Sequence, residues 1–190
     1  SSHDFGKDII PYIVSKYRVF AHRFERSTIQ NPLRPEPYWR DVGTVDAFWE
    51  ANLDLTYVEP ALNLYDDFWP IITHQEQLPP AKFVHSDPGR QGVAIASLVS
   101  GGSIVSGAHV RQSLVSSCVH IHSHANLEES VVLPGVDIGE HVRLRRAVVA
   151  RDTRIPAGIV VGENPVEDAR RFHRTPNGVT LISQRMLDRL

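Results

Sequence analysis

The chain has 190 residues, 42% hydrophobic and 22% charged, with a formal net charge of -2 and a pI near 6.5. That apolar share supports a packed core in one or two domains and excludes disorder for most of the chain, while the near-neutral balance excludes a broad cationic field for nucleic acid or an anionic membrane. A single cysteine, Cys118, excludes an internal disulfide; with no run near ~18 apolar residues and no signal-peptide pattern in the polar start SSHDFGKD, a soluble cytoplasmic protein is expected.

In chain order, the first part carries no repeat and reads as α/β. Phe5, Ile9, Ile13 and Val14 lie at helical spacing, and Pro11 is compatible only with a regular helix that starts just before it. Residues 17–24 read as a strand. Pro32, Pro35 and Pro37 then block both helix and central strand. Thr44 can cap a helix whose apolar face is Val45, Phe48, Trp49 and Leu53, and residues 63–82 form a proline-punctuated connector. Two helices and one or two strands do not close a sheet, so this half reads as the end of a larger α/β domain.

From residue 92 the sequence is periodic. Ile104, Ile121, Ile138 and Ile155 recur every 17 residues, as do Val110, Leu127, Leu144 and Val161, and a third column runs through Leu98, Val115, Val132 and Val149. Within one unit the aliphatic positions fall six, six and five residues apart, as in Leu98, Ile104, Val110 and Val115. A short strand per side followed by a tight corner places one aliphatic side chain inward on each face of a triangular prism, and stacked coils bury continuous columns. Small residues suit the corners, as at Gly107 and Gly158. Neither a sandwich nor an amphipathic helix shows three columns repeated four times. The spacing predicts a parallel β-helix over residues 92–163, and it resembles the hexapeptide repeat of left-handed examples. Residues 165–190 are expected to cover its end, with a helix over 165–172, a strand over 180–182, and a terminal helix over 184–190 carrying Met186, Leu187 and Leu190 on one side.

Three segments are more specific: HDFGKDIIPYIV from residue 3, YWRDVGTVDAFWEANLDL from residue 38, and NLYDDFWPI with PPAKFV between residues 63 and 84. In this order, followed by the coils and by GENPVEDARRFHR near residues 162–174, they resemble the C-terminal portion of bacterial glucose-1-phosphate adenylyltransferases across essentially the whole chain. The resemblance implies the C-terminal end of a Rossmann-like nucleotidyltransferase domain plus connector over residues 1–82. Over residues 83–190 it implies a left-handed β-helix for regulation and oligomerisation, with its cap. It also implies ATP and glucose 1-phosphate as substrates, Mg²⁺ as cofactor, phosphorylated or carboxylate metabolites as effectors, and a homotetramer.

Asp41 falls in the motif WRDVGT at the position that ligates the catalytic metal in that family; by itself it also reads as a helix-entry carboxylate bonded to nearby amides. Trp39 matches a sugar-contacting position, where unaided reading gives a packing aromatic. Asp4 and Phe5 match sugar-binding positions and otherwise read as an N-cap and the first apolar residue of a helix. Arg143, Arg145, Arg146, Arg151 and Arg154 crowd one stretch, and such clusters are usually solvated or ion-paired. Arg151 matches a basic position of the family's effector site. Gln184 and Asp188 stand where related enzymes carry arginines, with Arg185 and Arg189 adjacent; Arg185 is taken as the second effector residue.

His109, His120, His122, His124 and His141 decorate the coils and raise an alternative, a hexapeptide-repeat acyltransferase with a catalytic histidine. In sequence none sits beside a carboxylate that would orient it as a base. His120, His122 and His124 alternate along a strand, a weak metal signal that reads more readily as a solvated face. The family's Gly-rich nucleotide loop has no counterpart near the start, and Gly101-Gly102 lies within the coils. The chain alone is therefore expected to lack transferase activity and to act as a regulatory and oligomerisation module.

Overall fold

In the computed structural model, which describes residues 2–26 and 37–190, the chain divides into two units, Ser1–Tyr38 and Trp39–Leu190. In the first, Asp4 caps the chain by accepting a hydrogen bond from Lys7 N at 2.7 Å, and a π-helical turn Phe5–Ile9 leads into helix α1, Ile10–Val14. Pro11 sits in the first turn of α1, where its ring nitrogen offers no N–H and so ends the bonds to residue i−5 that Ile9 and Ile10 make in the preceding turn. The strand expected over residues 17–24 does not form; this stretch is irregular and ends in a 3₁₀ turn, Phe24–Arg26. A strand needs a neighbour for its N–H and C=O groups, and the described residues of this unit contain no other strand. Pro32 and Pro35 lie outside the described residues.

The second unit opens with irregular residues 39–43. Helix α2, Val45–Asp54, follows with Thr44 as its cap, Thr44 Oγ1 accepting from Ala47 N. Residues 63–81 are a connector without helix or strand. The coils then form three sheets of mainly parallel strands. Sheet 1 stacks Lys82–Val84, Ile104–Ser106, His120–Ile121, Asp137–Ile138 and Arg154–Ile155. Sheet 2 stacks Val93–Ile95, His109–Arg111, Asn126–Glu128, Arg143–Arg145 and Val160–Val161. Sheet 3 stacks Leu98–Val99, Leu114–Val115, Val131–Val132, Ala147–Val149 and Thr180–Ile182, with His173–Arg174 antiparallel at its edge. The result is a parallel β-solenoid of about four turns whose first strand lies ten residues before the expected start at residue 92.

Register decides which side chains face in. Val110, Leu127, Leu144 and Val161 form one inner column as expected. The other two columns differ in their first member: Val105, not Ile104, pairs with Ile121, and Val99, not Leu98, pairs with Val115. The first repeat is therefore 16 residues, against 17 later, an interval also seen in the bonds Ser113 N to Ser97 Oγ and Ser130 N to Ser113 Oγ. Sheet 3 concealed this shift because it is apolar on both faces: Val132 and Val149 enter the solenoid core, whereas Val131 and Val148 are buried outside against α2.

Each corner turns through a left-handed residue. These are Gly107, His124, His141 and Gly158 between sheets 1 and 2, Ala96, Gln112, Glu129 and Arg146 between sheets 2 and 3, and Gly102, Cys118, Gly135 and Asp152 between sheets 3 and 1. Left-handed backbone costs a non-glycine residue roughly 1–2 kcal/mol. Bonds to the previous coil offset this, as in His124 N to Gly107 O at 2.8 Å and Glu129 N to Arg111 O at 3.1 Å.

Helix α3, Pro165–Arg171, is capped by Asn164, and Phe172 after it joins the core. Helix α4 spans Gln184–Leu187, shorter than the expected 184–190. Leu187 is buried and Met186 packs on the core, but Leu190 lies beyond the helix and is exposed.

Candidate functional site

The segment Trp39–Thr44 is shaped by α2. Asp41 Oδ1 accepts a hydrogen bond from Gly43 N at 2.9 Å, an Asx turn that aims the chain into the capped helix. Oδ2 takes no hydrogen bond from another described residue, and Asp41 is exposed. One free carboxylate oxygen fits a hard divalent cation that keeps substrate oxygens and waters as its other ligands. Trp39 is 71% exposed, so it does not act as a packing aromatic in this unit. Asp4 and Phe5 belong to the other unit, Asp4 as the cap and Phe5 with 72% of its surface open.

Helix α2 is held firmly. Trp49 and Leu53 pack on Val131, Val148 and Val179. Trp49 Nε1 donates to Glu129 O at 2.7 Å, and the Arg146 guanidinium lies 4.5 Å from the Trp49 ring centroid. Burying an aliphatic or aromatic side chain of this kind is worth about 1.5–3 kcal/mol.

Arg151 lines an open groove of about 720 Å³ between the connector, at His74, Gln75, Glu76 and Leu78, and the sheet 3 to sheet 1 corners. Its guanidinium makes no hydrogen bond or ion pair to another described residue. Glu76 and Asp152 line the same groove, so its charge is mixed. Asp152 sits over Gly135, where an added Cβ would fall 2.2 Å from its Oδ1. Arg185 is exposed on α4 and does not line this groove. The neighbouring Gln184 accepts from Arg154 N and donates to Asp188, both at 2.8 Å.

Other arginines are absorbed by ion pairs. Arg143 bonds Glu163 through Nε and Nη2 at 2.7 and 3.0 Å, and these bonds hold the Glu163 carboxyl below its usual range. Arg146 lies 3.7 Å from Glu129, and Arg111 pairs with Glu128.

The histidines separate into two groups, so the alternating motif is not one metal-facing strip. His124 is a corner residue stacked on His141, ring centroids 4.9 Å apart. His120 and His122 lie beside Asp137, whose carboxylate is 3.2 Å from His122 Nε2. This corrects the expectation of no carboxylate partner: Asp137 is one coil later and pairs in register with His120. The 17-residue period itself points from His120 to Asp137. Burial, and then His122, hold His120 below its ordinary pKa, while Asp137 acts the other way.

Comparison with known proteins separates the chain's two parts. A family model described as "GlmU-like, C-terminal hexapeptide" matches residues 79–182, more than half of the chain. The chain belongs to that hexapeptide family. A "Nucleotidyl transferase" model matches residues 1–57. Among curated relatives, the glucose-1-phosphate adenylyltransferase of Dechloromonas aromatica (strain RCB) is 57% identical over 187 residues, 98% of this chain and 42% of its own length. Those of Gemmatimonas aurantiaca and Nitrosospira multiformis are 57% and 58% identical, over 100% and 98% of this chain and 46% and 44% of their lengths. Thus this member of the hexapeptide family spans less than half of the relatives it matches, and the resemblance drawn from its motifs is borne out. No described helix is long and apolar enough to cross a membrane.

Proposed function

We propose that this chain works as the C-terminal part of a glucose-1-phosphate adenylyltransferase, which converts ATP and α-D-glucose 1-phosphate to ADP-glucose and diphosphate in glycogen biosynthesis. The observation that carries the reading is the 57% identity to the Dechloromonas aromatica enzyme over 98% of the chain. Residues 1–82 complete the nucleotidyltransferase domain and connector, and residues 83–190 form the regulatory and oligomerisation domain of a homotetramer. Phe5, Tyr12, Tyr17 and Phe20 are 58–77% exposed, apolar surface that the rest of such a domain would cover.

In this reaction a phosphate oxygen of glucose 1-phosphate attacks the α-phosphorus of ATP, and the bond to the departing diphosphate breaks. Charge spreads over phosphate oxygens, so positioning and cation stabilisation dominate. Bound Mg²⁺ supplies electrophilic stabilisation of that charge. Asp41 would hold the ion through Oδ2 while Gly43 N fixes Oδ1. Asp4 and Phe5 are the proposed sugar contacts of the first unit, and Trp39 is that of the second. Arg151 binds a phosphorylated or carboxylate effector in its groove, for which a guanidinium offers paired N–H donors; Arg185, outside that groove, is a separate candidate for the same chemistry.

The chain contains no Gly-rich nucleotide loop. Supplied with ATP, Mg²⁺ and glucose 1-phosphate, it should form no ADP-glucose by itself. A chimera joining it to the remaining N-terminal part of the Dechloromonas aromatica relative should form it. A soluble, folded chimera with no turnover, or turnover by the chain alone, would contradict this reading.

A further inference from the structure

The outer face of sheet 1 carries a side-chain cluster that the proposed reaction does not use. His120 and His122 flank the inward-facing Ile121, so strand alternation puts both imidazoles outside. One coil later, Asp137 stands beside His120 in register. The imidazole centroids are 4.0 Å apart, and one ligand atom from each of the three residues lies within 4.8 Å of the other two. Ladder bonds fix the backbone beneath them: His120 N to Val136 O at 2.9 Å, His122 N to Ile138 O at 2.9 Å and Asp137 N to Thr153 O at 3.0 Å. Among the described residues this is the one group of three such side chains so arranged.

We propose that His120, His122 and Asp137 form a site for a first-row divalent transition-metal ion, with Zn²⁺ as its probe. Two imidazoles and one carboxylate suit Zn²⁺ and its neighbours, whereas Mg²⁺ and Ca²⁺ prefer oxygen-only shells. Tetrahedral bonds of about 2.0–2.1 Å place donors roughly 3.3–3.5 Å apart. His122 Nε2 and the Asp137 carboxylate are already at 3.2 Å, and rotation of the His120 ring completes the set. All three side chains are half-buried on a fixed backbone, which limits the ordering that binding requires. Three protein ligands leave a position open for water or an added ligand. The ion would also tie the coil containing His120–Ile121 to the coil containing Asp137–Ile138. Arg154 follows Asp137 in the same register, one coil later.

The test is zinc titration of the metal-free 190-residue chain by calorimetry, with cobalt substitution read by visible absorption. One Zn²⁺ per chain, a zinc-dependent rise in Tm, and cobalt bands of a mixed nitrogen and oxygen site are expected. His120→Ala and Asp137→Asn should each weaken zinc binding by about tenfold or more. Circular dichroism checks the fold, and Asp137→Asn is near-isosteric, so it keeps the coil intact. The double variant His124→Ala/His141→Ala should bind zinc as the unaltered chain does. Equal zinc affinity in His120→Ala/His122→Ala and the unaltered chain would overturn the proposal, as would loss of binding in His124→Ala/His141→Ala.

Discussion

Asp46 and Thr175 are 129 positions apart in the chain, yet Thr175 Oγ1 donates to Asp46 Oδ1 at 2.6 Å. Asn177 Nδ2 adds a bond to Oδ2 at 3.2 Å. These bonds tie the first turn of α2, and with it the Asp41 turn, to the loop before the last strand of sheet 3. Asp46→Ala should destabilise the chain by about 1–2 kcal/mol, measured by urea denaturation. Trp49→Ala, which removes the buried anchor of the same helix, should cost about 3–5 kcal/mol. A smaller loss for Trp49→Ala than for Asp46→Ala would contradict this account of how α2 is held.

A serine ladder secures the corner between sheets 2 and 3. Ser113 Oγ donates to Arg111 O at 2.7 Å and accepts from Ser130 N at 3.0 Å; Ser130 Oγ donates to Glu128 O at 2.8 Å and accepts from Ala147 N at 3.3 Å. Both serines are fully buried. Ser113→Ala leaves the buried Ser130 N–H without its acceptor, while Arg111 O keeps its bond from Glu129 N, and should cost about 1–3 kcal/mol. A Tm equal to that of the unaltered chain would show that the ladder contributes nothing.

Glu163 gives a pH-dependent prediction. Its pKa is lowered in the folded chain by its hydrogen bonds from Arg143, so the pair's contribution is present above the usual value of 4.5 and is lost as pH falls through the lower folded value. Carbon-detected NMR titration should place the Glu163 midpoint below 4.5, and Arg143→Gln should move it upward. An unchanged midpoint in Arg143→Gln would remove the cause assigned here.

Arg151 is the groove's guanidinium without an ion-pair partner among the described residues. Inorganic phosphate, used as a probe, should shift amide resonances around Arg151, Cys118 and Gly135, and Arg151→Ala should abolish those shifts. Equal shifts in Arg151→Ala would place phosphate binding elsewhere.

Much of this architecture is written in local pattern. The 17-residue period marks a solenoid because each coil repeats the same inward positions, and Thr44 announces a helix because the cap satisfies its own first turn. Ile104 and Leu98 misled because their neighbours Val105 and Val99 are equally apolar, and pairing between coils alone decides which member points in. The strand expected at residues 17–24 failed for a related reason: β-propensity requires a partner strand. At the candidate sites, Asp41 is proposed from its motif alone, whereas the His122–Asp137 contact depends on stacking one coil on the next. The groove around Arg151 depends on where the irregular connector runs, which no periodicity encodes.

The central claim is that Asp41 carries the metal of an adenylyl transfer. Asp41→Asn keeps an oxygen to accept from Gly43 N, so it isolates the carboxylate charge from the Asx turn. In the chimera with the Dechloromonas aromatica relative, the decisive measurement is kcat for ADP-glucose formation with and without this substitution. A fall of about a thousandfold or more, roughly 4 kcal/mol of transition-state stabilisation, with Tm unchanged is the predicted result. Unaltered turnover in Asp41→Asn would contradict the claim.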